Sequence, residues 1–462
     1  MMANHTDLEI NFTDERRDGY TVYQSGSHIR GNYIQVFVPH KPCFDTEGKR
    51  KLIVYLHGFA LCLPQFYEAH LEELAKKGYY VFFPDFQKSD YPDSIEQRDL
   101  KASQKKRHLY FWYQMAIDTI RQRKTPSDDK FAQQTRKARE FCRIRVAPNE
   151  PSPIKCLAIA LAIITIILIV RLVYIFAPEY RKNLVKLIST VGLSLLYSPI
   201  DWMESAVTLT SESWRILCEK NPELDGDFDF YVFGHSLGGL LALSWPYFVA
   251  DFNRTKYNFL AKQILTADPA PSSLLGLPRI ALFILRLFRS PFTSKPIEIK
   301  KTGAKLDIPV GILHGVDDTI VNPKTWVKGS LGSAKPNFDY IASTQKKIYF
   351  SLSEKQDHPP LIAFHNQAVT DTTYFDDALF KNFGGVKKQP NAYNSEYIWP
   401  GFEYVIKNQY DANDLLGHLP LKTIKITDNL PPKSSPLAWI IPLLSLLLLG
   451  GFSYWLWYRG LV

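Results

Sequence analysis

Asp229–Leu240 reads DFYVFGHSLGGL, and its character changes in the middle. Phe230–Phe233 is an unbroken apolar run, the mark of a strand buried on both faces. From Leu240 the chain continues as LLALSWPYF, a helical segment. Between the two lies Gly234-His235-Ser236-Leu237-Gly238. A glycine two residues before and another two residues after the serine suit a sharp strand-to-helix bend with no room for side chains there. Such a bend lifts the serine hydroxyl clear of the sheet. Ser236 is therefore the candidate nucleophile.

Working outward, Leu52–Leu56 is another buried run and ends in His57-Gly58-Phe59-Ala60. A serine attacking a carbonyl generates a negative oxygen that two backbone N–H groups can stabilise. Leu237 is expected to supply one and either Phe59 or Ala60 the other. His57 reads as a structural residue closing the strand end. Downstream, Ile308–Leu313 is a buried strand followed by His314-Gly315-Val316-Asp317-Asp318-Thr319-Ile320-Val321. The spacing Gly315-x-x-Asp318-x-x-Val321 points to Asp318 as the acid that orients a histidine, with Asp317 in a loop or capping role. Asp268, in Thr266-Ala267-Asp268-Pro269, is the alternative acid. The base must be imidazole, which can take the serine proton near neutral pH and return it. His358 follows the run Lys347–Leu352 directly, in Asp357-His358-Pro359-Pro360, and is assigned as the base. His365 is the alternative, read as lying in the following helix; His418 is more remote.

LHGFA, GHSLGG, HGVDDTIV and the DHPP loop occur in the order found in the α/β-hydrolase superfamily, which residues 20–86 and 200–385 resemble. The resemblance implies an eight-stranded, mostly parallel sheet and a serine acyl-enzyme mechanism. It carries the roles of nucleophile to Ser236, base to His358 and orienting acid to Asp318. GHSLGG is common among lipases and esterases of that superfamily, so a carboxylic ester of an apolar or lipid substrate is expected. An acyltransferase using the same acyl-enzyme, or a non-catalytic membrane scaffold, is the alternative.

The remaining sequence sets the organisation. Residues 1–86 and 201–385 form the two parts of one α/β domain, interrupted by a basic and apolar insertion at 87–200. A connector at 386–435 leads to an anchor at 436–458. Cys156–Ala177 and Leu437–Tyr458 each approach the roughly 20 apolar residues needed to cross a bilayer. A single crossing by the first would put the two halves of one sheet on opposite sides, so it must dip into one leaflet or pair with Asn183–Ile200 as a hairpin. A buried cap helix is the soluble alternative. Basic flanks such as Lys155, Arg181 and Lys433 place the domain on the cytosolic face. The net charge of +9 is concentrated in the insertion beside an apolar segment, which favours anionic lipid over nucleic acid. Leu277–Arg289 puts Arg279, Arg286 and Arg289 on one helical face, as suits a bilayer surface, a lid or solvent. The five cysteines show neither CxxC nor zinc spacing, so reduced thiols are expected. No HExxH, P-loop or dinucleotide fingerprint is present, so no cofactor or metal is expected.

Overall fold

The computed structural model describes residues 10–89, 91–93, 197–275, 290–329, 335–354, 360–375, 389–408 and 412–431, with isolated positions between them. Ten strands form one sheet: β1 Thr13–Arg17, β2 Tyr20–Ser25, β3 Ile34–Pro39, β4 Arg50–Leu56, β5 Tyr80–Pro84, β6 Phe228–His235, β7 Gln263–Ala267, β8 Val310–Gly315, β9 Lys346–Ser351 and β10 Ile426–Thr427. Their spatial order is β1-β2-β3-β5-β4-β6-β7-β8-β9-β10. The run from β5 to β9 is parallel throughout, and antiparallel pairs lie at both ends. The sheet is mostly parallel, as expected, with two strands beyond the eight expected.

Both additional strands are edges. β1 is TDERR, charged and almost wholly exposed, a composition that discourages pairing with another chain. β10 has only two residues and pairs with β9. The central strands are apolar because both their faces are covered. β5 and β7 are buried along their whole length, and β4 and β6 everywhere except their first residue.

Helix α1, Glu68–Lys76, buries His70, Leu71, Leu74 and Ala75. Helix α2, Pro199–Lys220, starts with a reciprocal cap: Ser198 Oγ accepts from Asp201 N–H, and Asp201 Oδ2 accepts from Ser198 N–H. Proline at its first position costs no hydrogen bond, and such a cap is worth about 1 kcal/mol. Helix α3, Leu237–Phe252, leaves the end of β6 and is buried from Leu237 through Trp245. Helix α4 spans Trp399–Asn408.

Two boundaries differ from the sequence expectation. The 386–435 stretch supplies α4 and β10, so it is built into the domain rather than merely connecting it. Phe402, Val405 and Ile406 are fully buried, and Lys51 Nζ donates to Ile406 O at 2.9 Å. Aromatic packing holds the stretch down: the Phe402 ring lies 5.0 Å from Phe233, and His70 stacks on Trp399. The start of the 87–200 insertion is likewise core, with Gln87 and Tyr91 buried. Residues 94–193, the 437–458 segment and most of 277–289 lie outside the described residues. Among the described residues no helix is long and apolar enough to cross a membrane. Cys43, Cys62 and Cys218 are free thiols, the last two buried.

Candidate active site

β6 ends at His235, and the chain turns into α3 through Ser236, whose φ of 55° and ψ of −115° are costly for a residue with a side chain. The surrounding bonds impose this conformation. Ser236 N–H donates to Ala267 O at 2.9 Å, and Ser236 O accepts from Ala270 N–H at 3.1 Å. The flanking glycines are required by close approach. A Cβ on Gly234 would sit 2.2 Å from Gly238 O, and one on Gly238 would sit 2.2 Å from Leu56 O.

Three side chains form a continuous chain. Ser236 Oγ lies 2.6 Å from His365 Nε2, and His365 Nδ1 lies 2.7 Å from Asp318 Oδ2. A carboxylate only accepts, so the imidazole proton sits on Nδ1 and Nε2 faces the serine hydroxyl as an acceptor. Asp318 is almost fully buried; its Oδ1 accepts from the N–H groups of Ile320 and Val321 at 2.8 and 2.9 Å. Burial alone would raise its pKa. The electrostatic interaction and hydrogen bond with His365, helped by His314 and Val321 N–H, outweigh burial and hold the carboxyl below its ordinary value.

The imidazole hydrogen-bonded to both Ser236 and Asp318 is that of His365, the alternative in the sequence reading; His358 lies outside the described residues. The physical reason is a detour after β9. Glu354 and Leu361 exchange both backbone hydrogen bonds, and the chain runs on from Leu361 to Ala363 and His365. His365 is in a turn, not a helix. Asp317 helps hold that turn: its carboxylate accepts from Ser353 Oγ at 2.7 Å, and Ser353 Oγ accepts from Ala363 N–H at 2.9 Å.

The alternative acid, Asp268, is buried close by but does not take the position facing His365. Its Oδ1 accepts from Gly315 N–H at 2.8 Å and from Gln367 Nε2 at 3.3 Å, while its Oδ2 has no partner among the described residues. Burial, then the neighbouring Asp318 charge, pushes its carboxyl well above the ordinary value.

Leu237 is the first residue of α3, so its N–H has no partner within the helix. On the facing loop, Ala60 has φ 60°, its N–H donates to Gln87 Oε1 at 2.8 Å, and its carbonyl accepts from Tyr91 Oη at 2.6 Å. Ala60 N–H is therefore committed, which removes it from the expected pair and leaves Phe59. Gln87 and Tyr91 carried no motif that sequence reasoning could use.

His57 lies in a second buried cluster. Its Nδ1 is 2.9 Å from Gly58 O, its ring stacks on Phe86, and its Nε2 is 3.5 Å from Asp85 Oδ1. Asp85 also accepts from His28 Nδ1, Ser89 Oγ and Gln87 N–H, and these partners account for a buried carboxylate kept charged. His57, Cys62 and Asp85, like Asp268, His314 and Asp318, bring donor atoms within 4.8 Å of one another and are the described groups whose spacing could admit a metal ion. In the second group Asp318 is already engaged by His365.

No family model matches the sequence, and no curated protein does. Solved structures with a similar fold include esterase B from Lactobacillus rhamnosis, at 12% identity over 74% of each chain with a TM-score of 0.34. Acetyl xylan esterase 1 from Thermoanaerobacterium sp. JW/SL YS485 is similar at 13% identity, over 75% of this chain and 81% of that one, with a TM-score of 0.35. A monoacylglycerol lipase from Paleococcus ferrophilus is similar at 12% identity, over 68% and 86%, with a TM-score of 0.29.

Proposed function

We propose that this chain is a serine hydrolase that cleaves carboxylic esters through an acyl-enzyme. The observation that carries the reading is the unbroken hydrogen-bond chain from Ser236 Oγ through His365 to Asp318. His365 Nε2 takes the serine proton as Oγ attacks the ester carbonyl, and the carbonyl oxygen becomes negative. The N–H groups of Leu237 and Phe59 stabilise that oxygen. Loss of one such donor costs roughly 3 kcal/mol elsewhere. Asp318, held ionised, fixes the ring tautomer and stabilises the imidazolium. The proton on Nε2 then goes to the leaving alcohol, and water attacks the acyl-enzyme with His365 as base again.

Fluorophosphonate labelling of the detergent-solubilised protein tests this. Wild type reacts at Ser236, Ser236→Ala does not react, and His365→Ala slows labelling by about 10⁴-fold or more. Well-folded wild type that stays unlabelled overturns the reading. Added alcohol acceptors in a turnover assay separate hydrolysis from acyl transfer by the product formed.

We further propose an apolar or lipid ester as substrate and membrane attachment with the domain on the cytosolic face. Support comes from the sequence, in the apolar runs 156–177 and 437–458 and their basic flanks. Retention in the membrane pellet after alkaline extraction is the expected result; release into the supernatant refutes attachment.

A further inference from the structure

His235 precedes Ser236 and is fully buried, yet it plays no part in the proton transfer. Both ring nitrogens are engaged. Nε2 lies 3.1 Å from the backbone carbonyl of His365, and Nδ1 lies 2.9 Å from Tyr67 Oη. Tyr67 Oη in turn lies 2.9 Å from Gly58 N. The donor inventory gives this chain one direction. Gly58 N–H can only donate, so the phenol oxygen accepts there and its O–H donates to His235 Nδ1. A carbonyl can only accept, so the His235 proton is on Nε2 and donates to His365 O. Every polar atom in the relay is satisfied by a single protonation state. Burial, reinforced by the neighbouring His365 imidazole, pushes the His235 imidazole down to about 3, and the ring stays neutral at working pH.

The two ends of this relay are parts the proposed reaction uses. Gly58 begins the turn that carries Phe59, whose N–H is the proposed oxyanion donor, and the His365 carbonyl belongs to the proposed base. Gly58 packs directly on the imidazole: a Cβ there would lie 2.8 Å from His235 Nδ1. The His235 and His365 rings are 5.4 Å apart.

We propose that His235 and Tyr67 are positioning residues that lock the oxyanion loop and the backbone of His365 in register with Ser236. The proposal rests on Ser236 and His365 being catalytic. Small misplacements of reacting groups slow chemistry far more than they weaken binding, so the effect falls on kcat.

The test uses full-length protein in detergent, p-nitrophenyl butyrate turnover and the fluorophosphonate rate constant, comparing Tyr67→Phe, His235→Leu, His235→Gln and the Tyr67→Phe/His235→Leu double variant. Tyr67→Phe and His235→Leu each lower kcat and the labelling rate about 10- to 100-fold, with KM within about threefold. His235→Gln, which can still donate to His365 O, recovers most of the loss. The double variant is no slower than the slower single one, because one relay is broken twice. Wild-type labelling with unchanged rates in the variants overturns the relay, as do additive losses with no rescue by glutamine. Unlabelled wild type instead overturns the serine hydrolase reading. Should the leucine variant fail to fold, Tyr67→Phe against His235→Gln decides alone.

Discussion

Asp268 and Asp318 sit at the carboxyl ends of β7 and β8, neighbours in the sheet, and each is only 1% exposed. Equal burial raises both pKa values, yet one carboxyl ends below its ordinary value and the other well above it. Partners make the difference. Asp318 receives two backbone N–H groups and an imidazole N–H spread over both oxygens, whereas Asp268 receives its bonds on one oxygen and has Asp318 as a negative neighbour. Two like carboxyls driven apart in this way support the proposed role of Asp318 as the charged orienter.

Replacing each acid in turn is the most forceful way to break that comparison. Asp318→Asn takes away the charge that fixes the His365 tautomer and is expected to lower kcat by about 10⁴. Asp268→Asn keeps an oxygen for Gly315 N–H and is expected to leave kcat within about threefold. Ester turnover measures both, and reversed effects would make Asp268 the acid that serves His365.

Stability against pH sharpens the same contrast with opposite signs. Asp318, with a folded pKa below 3.8, contributes stability above that value that is lost as pH falls through the folded pKa. Asp268, raised above 3.8, favours the fold most at low pH and loses that contribution as pH rises. Asp318→Asn therefore lowers Tm at pH 7 and Asp268→Asn raises it, each by about 2–4 °C per kcal/mol in a domain of this size. The Asp268 difference shrinks towards pH 4, whereas the Asp318 difference persists there and shrinks only as pH falls further, through the folded pKa. Thermal melts from pH 4 to 8 check the signs, and a drop in Tm for Asp268→Asn at pH 7 would contradict them.

The central sheet was legible because strands covered on both faces carry compact apolar runs, and β4 to β9 each contain one. The serine turn was legible because its glycines answer to steric contacts only 2.2 Å long. β1 was not, since an exposed edge strand gains from charge and so looks like a loop. Nor was α4: Pro400, Lys407 and Asn408 blur its pattern, and the aromatics that bury it, Trp399 and Phe402, become informative only beside His70 and Phe233. The commitment of Ala60 N–H to Gln87 depends on a side chain 27 residues away, which no local pattern encodes.

The choice between His358 and His365 leads to the smallest expected effect. Proximity to a strand end favours His358, but a base is selected by where the chain returns, not by how soon it leaves. Here the Glu354–Leu361 pairing and the Ser353 contacts to Asp317 and Ala363 N–H bring the chain back to the serine at His365, fourteen residues past Ser351. Since His365 already occupies both hydrogen-bonding roles between Ser236 and Asp318, a second imidazole has no proton to carry. His358→Ala is expected to change kcat by less than about twofold and to leave fluorophosphonate labelling at the wild-type rate. A loss approaching that of His365→Ala would mean that the loop rearranges in the working enzyme and that His358 takes over the serine proton.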